Sequence, residues 1–318
     1  MIPEGVKLFL DVMVFAFGAA VGSFLNVCIY RMPREKSIIT PPSHCGSCKN
    51  PIAWFDNIPL LSWLLLRGRC RHCGAPFSFR YWLVELLTAI LFLLAWLQFG
   101  PSPTASDEGL LRAGDLLPSW HVPIVWLLLG GLIVATFVDL DHYIIPDEIS
   151  VGGVVVGFVL SCAYPALHGE EFFLLGAWKS LLGILIGSAL VLWLALFGEL
   201  IFKKEAMGFG DVKFLGMIGA FIGWQGALFT LVASSFLGAI VGVLWIALSR
   251  ERQAVGREAS SNDAYYALDS WDLRDEMDTH AMRSSIPYGP FLAAGAIVWI
   301  FASRQVLDFC SVLFGLNQ

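Results

Sequence analysis

Long apolar runs separated by short polar stretches dominate the hydropathy pattern of the chain. A helix of about 20 apolar residues crosses the roughly 30 Å hydrocarbon core of a bilayer. The pattern therefore predicts an all-α polytopic membrane protein with about eight transmembrane helices. The predicted spans are residues 8–28, 81–99, 122–138, 149–167, 177–202, 212–223, 227–248 and 288–301. The sixth span is short, so we expect either a half-length segment or one part of a bent hairpin with the seventh.

The first apolar run differs from a secretory signal peptide in two ways. Its start holds Lys7 together with Glu4 and Asp11, whereas a signal peptide begins with a basic region. The apolar run is also longer than the roughly 7–15 residues of a signal peptide's hydrophobic region. We therefore expect a retained transmembrane helix.

Lys and Arg residues are concentrated in alternate connections between the predicted spans. Residues 31–80 hold eight of them and residues 249–286 hold five, whereas residues 100–121 hold one and residues 168–176 hold none. Loops rich in Lys and Arg stay on the cytoplasmic side of a membrane. We therefore expect both termini to face outward. The loops expected in the cytoplasm are 31–80, 139–148, 203–211 and 249–286.

The composition excludes several classes of protein. Of the 318 residues, 57% are hydrophobic and only 14% are charged, and the mean hydropathy is +0.71. A soluble domain has roughly 45–50% apolar and about 25% charged residues, so a soluble globular enzyme is not expected. The net charge of −6 argues against a nucleic-acid partner. Membrane lipids are the expected surroundings.

We expect the chain to be divided into three parts. Residues 1–30 form the first transmembrane helix, residues 31–80 form a cytoplasmic zinc-binding loop, and residues 81–318 form a helical membrane domain. A polar stretch at 249–286 is rich in Asp, Ser and Arg and carries no chemical signature. We interpret it as a flexible cytoplasmic insertion, with a regulatory or docking role as the alternative.

Two C-x2-C pairs stand in the predicted cytoplasmic loop, 21 residues apart. Four thiolates at such spacing form a tetrahedral zinc site of the ribbon type, and the closed ligand shell indicates a structural role. Disulfides and free thiols are the alternatives, although disulfides do not persist in a reducing compartment. His44 and His72 are possible substitute ligands. The four expected ligands are Cys45, Cys48, Cys70 and Cys73. The remaining cysteines are expected to be small apolar side chains, and they are Cys28, Cys162 and Cys310.

Aspartates at the ends of apolar runs are the candidate catalytic groups, because carboxylates near a membrane are energetically costly. Asp139 follows the third predicted span and Asp211 precedes the sixth, so both are expected at the cytoplasmic face. Two converging carboxyl groups share a proton, and one can act as base on a water while the other acts as acid toward a carbonyl. The alternative is that Asp139, Asp141 and Asp147 are interface residues or helix caps.

Several motifs together resemble those of the bacterial prepilin peptidases, the bifunctional leader peptidase/N-methyltransferases of type 4 pili and type II secretion. The resemblance covers most of the chain, and loop 249–286 is longer than the family pattern. The motifs are GSFLNVCIYRMP (22–33), the two cysteine pairs, DNIPLLSWLLLRGRCRHC (56–73), RYWLVELLTA (80–89), VDLDHYIIPD (138–147), GFGDVKFLGMIGAFIGW (208–224) and IPYGPFLAAG (286–295).

The resemblance implies a GxGD-type aspartic peptidase in the bacterial inner membrane with its active site facing the cytoplasm. It implies removal of a basic leader from prepilins or pseudopilins, followed by N-methylation of the new N-terminus from S-adenosylmethionine. The catalytic carboxylates would be Asp139 and Asp211, and the four cysteines would bind structural zinc. No Rossmann-type glycine loop marks a methyl-donor site. By analogy alone, loop 31–80 and Glu85 are placed near it.

Other functions remain open at this point. A proton-coupled transporter also carries membrane acids, but its acids would be expected near the midplane. A zinc metalloprotease would need an H-E-x-x-H motif, which is absent from the sequence. A presenilin-like intramembrane protease shares the G-x-G-D segment, and a non-catalytic scaffold of the pilus machinery is a further alternative.

Overall fold

The computed structural model describes residues 4–100, 120–203, 208–259 and 287–313. In these ranges the chain forms eight α-helices and three 3₁₀ helices, and it has isolated β-bridges but no strand. The α-helices are α1 (Glu4–Arg31), α2 (Leu61–Leu65), α3 (Phe79–Phe99), α4 (His121–His142), α5 (Asp147–Ala163), α6 (Phe173–Phe202), α7 (Phe209–Ala259) and α8 (Gly289–Leu313). The 3₁₀ helices are Met32–Arg34, Trp54–Asn57 and Pro165–His168.

The helices confirm the expected class of polytopic membrane protein. Among the described residues, six helical segments are long and apolar enough to cross a bilayer. They are Glu4–Arg34, Phe79–Phe99, His121–His142, Phe173–Ile201, Phe209–Trp245 and Gly289–Phe309. Helix α5 has 17 residues and is therefore about 25 Å long, slightly less than the hydrocarbon thickness.

Helix α7 contains the sixth and seventh predicted spans, and it bends sharply at Gly223. The backbone of Gly223 has φ 74° and ψ 177°, a conformation that L-residues with side chains rarely adopt. A Cβ atom added at Gly187 would contact both the carbonyl oxygen of Leu215, at 2.8 Å, and the Cβ of Ala227, at 3.5 Å. A straight helix would separate Leu215 and Ala227 by about 18 Å. The chain therefore folds back at Gly223, as the hairpin alternative predicted.

Some predicted boundaries were wrong by a turn or more. The connection predicted at 139–148 is shorter in the structure and contains only residues 143–146, because α4 continues to His142 and α5 begins at Asp147. Helix α7 continues to Ala259, so the first part of the predicted insertion 249–286 is helical. Residues 260–286 and the side chain of Cys310 lie outside the part that the structure describes.

Glycines allow α6 and α7 to approach closely. A Cβ added at Gly183 would collide with the carbonyl group of Gly219, and one added at Gly187 would lie against the backbone of Leu215. Small residues at such crossings let helix backbones pack within a membrane, where apolar surface alone gives little driving force. Helix α4 is the most enclosed span and packs against α1, α3, α5 and α8.

Candidate active site and metal centre

Asp139 lies in the last turn of α4, inside the bundle. The residue is only 6% exposed, and its Oδ2 accepts a hydrogen bond of 2.9 Å from the backbone N–H of Gly289. A Cβ atom at position 289 would lie 2.7 Å from this oxygen. The first residue of α8 must therefore be a glycine for Asp139 to occupy this position.

Asp211 lies in the first turn of α7 and is 8% exposed. The preceding glycines leave room beside it, since a Cβ at Gly208 would lie 3.8 Å from its Oδ2 and one at Gly210 would contact Ile145. Close to these residues, Nζ of Lys213 is 2.7 Å from Oδ1 of Asp147. The start of α7 is therefore fixed against the connection between α4 and α5.

The structure brings Asp139 and Asp211 to the same end of the bundle. Gly210, which precedes Asp211, lies against the connection that follows α4, since a Cβ added at Gly210 would be 3.5 Å from the Cβ of Ile145. Both aspartates are removed from water, and both have glycine backbone beside them rather than bulky side chains. Two carboxyl groups in one enclosed site can act together as a base toward water and an acid toward a carbonyl oxygen.

The neighbouring acids are occupied by basic partners. Asp141 accepts hydrogen bonds from Nη1 of Arg80 at 2.5 and 2.6 Å, and Asp147 pairs with Lys213. Both acids are partly exposed, in contrast to Asp139. Their geometry indicates that they hold the surrounding helices in place.

The four predicted cysteine ligands form one cluster. Their Sγ atoms all lie within 4.8 Å of one another, and Sγ of Cys45 and Sγ of Cys73 are 3.8 Å apart. Thiolates placed tetrahedrally at a Zn–S distance of about 2.3 Å would be separated by about 3.8 Å. In the described part of the chain no His joins this cluster, so the ligand set contains sulfur alone. These four side chains could bind a metal ion such as zinc.

The two halves of the cluster have the same backbone design. In each half, the first cysteine's N–H donates to a carbonyl five residues later, and its carbonyl accepts from the N–H four residues later. That fourth residue has a left-handed backbone, at Lys49 (φ 61°) and at Gly74 (φ 69°). The backbone N–H groups of Cys48 and Ser47 lower the pKa of the Cys45 thiol to about 6. Donors aimed at sulfur favour the thiolate, which is the form that binds metal.

A cavity of about 800 Å³ lies between the cysteine loop and the adjoining parts of α1 and α3. Glu85 lines it, and its Oε2 accepts a 2.7 Å hydrogen bond from the backbone N–H of Leu60. Arg31, Trp63 and Trp82 line the same cavity. They lie inside motifs that carry the resemblance, but nothing in the sequence shows that these three side chains share one cavity.

The fold and these sites define a class: a multi-pass helical membrane protein with a buried aspartate pair at one end and a four-cysteine cluster in the adjoining loop. Residues 16–99 match the bacterial peptidase A24 N-terminal domain, and residues 126–243 match the type IV leader peptidase family.

Curated relatives extend this match over most of the chain. The chain is 37% identical to the prepilin leader peptidase/N-methyltransferase of Aeromonas hydrophila, over 76% of this chain and 83% of that protein. It is 29% identical to the protein of the same name in Legionella pneumophila, over 95% of this chain and 94% of that protein. The relative of that name in Myxococcus xanthus is 39% identical over 74% of this chain and 63% of its own length. No solved structure matches significantly. The chain belongs to the prepilin leader peptidase/N-methyltransferase family, which confirms the resemblance and the enzyme class inferred from the motifs.

Proposed function

We propose that the protein removes the basic leader peptide of type 4 prepilins or type II secretion pseudopilins and then methylates the new N-terminus. The observation that carries the peptidase activity is the buried pair of Asp139 and Asp211 at one end of the bundle. Membership of the family supplies the substrate class. A transporter is less well supported, because the two acids lie at helix ends and not at mid-length.

The dyad accounts for hydrolysis without a covalent intermediate. One carboxylate takes a proton from a water molecule while the water oxygen attacks the carbonyl carbon of the scissile bond, and the other carboxyl group gives its proton to the carbonyl oxygen. When the tetrahedral intermediate collapses, the C–N bond breaks and the leaving nitrogen takes up a proton. The products are a leader with a free carboxylate and a pilin with a free amine.

The chain crosses the membrane eight times in this proposal, counting α5 and both arms of α7. Three contacts bring the starts of α3, α5, α7 and α8 to one end of the bundle. They join Arg80 to Asp141, Lys213 to Asp147 and Gly289 to Asp139. The opposite end holds the Gly223 bend and the 3₁₀ helix Pro165–His168. The abundance of Lys and Arg in loop 31–80 supports a cytoplasmic position for the catalytic end.

Zinc at the cysteine cluster has a structural role in this proposal. The thiols of Cys45, Cys48, Cys70 and Cys73 would hold it, and four thiolates leave no coordination position for substrate or water. The cluster joins two short segments, 44–51 and 69–76, each of which closes on itself through a β-bridge. Bound zinc would therefore stabilise the fold of loop 31–80.

Methylation follows cleavage because cleavage creates the amine. The neutral N-terminal amine attacks the methyl carbon of S-adenosylmethionine, the C–S bond breaks with its electron pair left on sulfur, and the methylated ammonium releases a proton to water. The protein's contribution is to bind the donor and to position the amine in line with the C–S bond.

Mass spectrometry of a co-expressed prepilin tests both activities. We expect the mature pilin to appear without its leader and with one added methyl group. A control membrane that carries the Asp139→Asn variant should contain only the full-length prepilin. A prepilin that stays uncut with the unchanged enzyme, in membranes where both proteins are present, would overturn the peptidase assignment.

A further inference from the structure

Large apolar side chains are exposed along one segment of loop 31–80. The segment, residues 54–69, contains the 3₁₀ helix Trp54–Asn57 and helix α2. Trp54 and Leu65 are each 81% exposed. The other exposed apolar residues of the segment are Phe55, Ile58, Leu61 and Leu64. Exposed apolar surface concentrated in a few turns of chain marks a site of contact with a protein or a membrane.

The two short helices of segment 54–69 form one unit. Ser62 in α2 is buried, and its Oγ donates to the carbonyl oxygen of Phe55 at 3.1 Å and accepts from the backbone N–H of Ile58 at 2.9 Å. The exposed leucines of α2 are at positions i, i+3 and i+4, which lie on one face of a helix. The unit therefore has an inner side that packs on the protein and an outer side that is apolar.

Contacts with α3 place this unit at the boundary of the membrane. The ring centroid of Trp63 lies 5.5 Å from that of Phe79 and 6.3 Å from that of Trp82. The backbone N–H of Leu60 donates to Oε2 of Glu85 at 2.7 Å. Phe79 begins α3, and Glu85 lies about 9 Å further along the helix axis. Because α3 has 21 residues and is about as long as the hydrocarbon core is thick, α2 lies beside the part of α3 that enters the bilayer.

The charged groups of segment 54–69 suit a negatively charged surface. Its single acid, Asp56, accepts hydrogen bonds from Nε of Arg71 at 2.8 Å and from Nη2 of Arg71 at 2.6 Å. Arg67 and Arg69 follow α2, are exposed, and form no ion pair among the described residues. Two positive charges therefore remain beside the apolar face. This combination is typical of segments that lie in the headgroup region of anionic bilayers.

We propose that segment 54–69 binds the bilayer surface and is an interfacial element that lies in the leaflet next to α3. The side chain of Trp54 and the exposed leucines of α2 enter the upper acyl region, and Arg67 and Arg69 bind lipid phosphates. Trp is common at this depth because its ring is apolar and its N–H is polar. The preferred partner is an anionic phospholipid, and the site is distinct from the aspartate pair and from the cysteine cluster.

A protein partner is less well supported for this surface. Leucines beside a transmembrane helix at its point of entry are within reach of acyl chains, so a protein would have to displace lipid to bind them. A second copy of the chain, or the apolar part of a substrate, would bring no phosphate to Arg67 and Arg69. Binding to the bilayer also holds the cysteine loop against the membrane, because Cys70 directly follows Arg69.

Photocrosslinking to lipid tests the proposal without any enzymatic turnover. The photoreactive residue p-benzoylphenylalanine replaces Leu65, Trp54, Leu97 or Asn50 in separate proteins, each held as a single chain in nanodiscs of phosphatidylethanolamine and phosphatidylglycerol at equal ratio. Leu97 is exposed on the transmembrane helix α3 and is the positive control, and Asn50 is exposed in the cysteine loop and is the negative control. By mass spectrometry, we expect lipid adducts at Leu65 and Trp54 to be at least about tenfold more frequent than at Asn50.

The lipid composition of the adducts tests the role of charge. At Leu65 we expect phosphatidylglycerol to be enriched at least about fivefold over phosphatidylethanolamine, the effect of one basic residue at an anionic surface. The double variant Arg67→Gln/Arg69→Gln should lose this enrichment, and Arg304→Gln, at an exposed position of α8, should keep it.

Three results would overturn the proposal. The first is a yield of lipid adducts at Leu65 and Trp54 no higher than at Asn50. The second is equal representation of the two lipids at Leu65 when both arginines are present. The third is a crosslink in native membranes from position 65 to a second copy of the chain in place of lipid, because the face would then be a protein interface. Since no result depends on prepilin cleavage, failure of this inference would leave the proposed function untouched.

Discussion

Arg80 in the first turn of α3 holds Asp141 in the last turn of α4. Its Nη1 donates to both carboxylate oxygens of Asp141, and its Nη2 donates to the carbonyl oxygen of Phe137 at 2.9 Å. The guanidinium also lies 4.9 Å from the centroid of the Phe137 ring. Asp139 lies between Phe137 and Asp141 in the sequence. By contacting both of these residues, Arg80 fixes the turn that carries the proposed catalytic carboxylate of Asp139 and ties that turn to α3.

Replacing Arg80 should impair leader cleavage, because the turn that carries Asp139 would lose this support. We expect Arg80→Met to reduce kcat for leader removal by about tenfold with little change in KM, because a displaced carboxylate lowers the rate without altering leader binding. Arg80→Lys should recover only part of the rate, since an ammonium cannot reproduce the planar fork. Arg304→Met, an exposed position on α8, is the matched control. An unaltered kcat in Arg80→Met would contradict this role.

The two proposed catalytic aspartates should be individually essential. Asp139→Asn and Asp211→Asn keep the side-chain shape but remove the acid and base, so we expect cleavage to fall at least about 10³-fold with the thermal midpoint preserved. Asp147→Asn and Asp141→Asn should be milder, because those acids are engaged with Lys213 and Arg80. Full processing by either of the first two variants would reject the dyad.

Gly289 offers a test that preserves both carboxyl groups. In Gly289→Ala the added Cβ would lie 2.7 Å from Oδ2 of Asp139, and the short aspartate side chain would have to move. We expect a loss of cleavage of about 10- to 100-fold with a thermal midpoint near that of the unchanged protein. Gly152→Ala is the control, because no atom lies within 4 Å of a Cβ added there. Equal cleavage rates in the two variants would show that the Gly289 contact does not position Asp139.

Removing the metal should disorder the loop and leave the dyad chemistry in place. We expect purified protein to contain one zinc per chain and Cys48→Ser to lose it, while Cys162→Ser, outside the cluster, retains it. Hydrogen exchange in residues 44–76 should accelerate in Cys48→Ser, and exchange in α4 and α7 should not. If chelation changes neither the exchange of the loop nor the activity, the structural role of zinc is wrong.

The features predicted from the sequence are those that depend on local pattern. Apolar runs gave the positions of the helices, because a membrane span must be long and continuously apolar. The spacing within each C-x2-C pair is enough to place its two sulfur atoms together, so both halves of the cysteine cluster could be predicted from the sequence. Asp139 and Asp211 stood out as candidates because carboxylates at the ends of apolar runs are energetically costly, and the structure buries both of them.

The features that could not be predicted depend on contacts between distant residues or on one backbone angle. The N–H of Gly289 meets Asp139 across 150 positions of sequence, and no pattern encodes that pairing. The hairpin was one of two alternatives for the short sixth span, and the choice between them depends on the positive φ of Gly223, one glycine of 31 in the chain. Trp63 and Trp82 lie inside motifs that carry the resemblance, but the cavity that they line is formed by segments distant in sequence, and no local pattern encodes it.

His168 occupies the end of the bundle opposite the dyad and makes the stability of the fold dependent on pH. Its Nε2 is 2.9 Å from Oγ of Ser161, which also donates to backbone carbonyls of α5 and α7. Burial, reinforced by the positive charge of Lys179, lowers the pKa of His168 to about 4. His121 acts in the same direction, and Glu170 opposes the shift. His168 is thus neutral in the folded protein at physiological pH.

The sign of the effect follows from the two states of the imidazole. An unfolded histidine titrates near pH 6.5, so between about pH 6.5 and pH 4 the unfolded chain binds the extra proton and the folded protein does not. The contribution of neutral His168 to the free energy of unfolding is fully present above about pH 6.5, and it falls by about 3 kcal/mol as the pH decreases to 4. We expect the thermal midpoint in detergent to fall more steeply over this window in the unchanged protein than in His168→Gln. His142→Gln, at the catalytic end, should keep the original slope, and equal slopes in all three proteins would exclude His168 as the source.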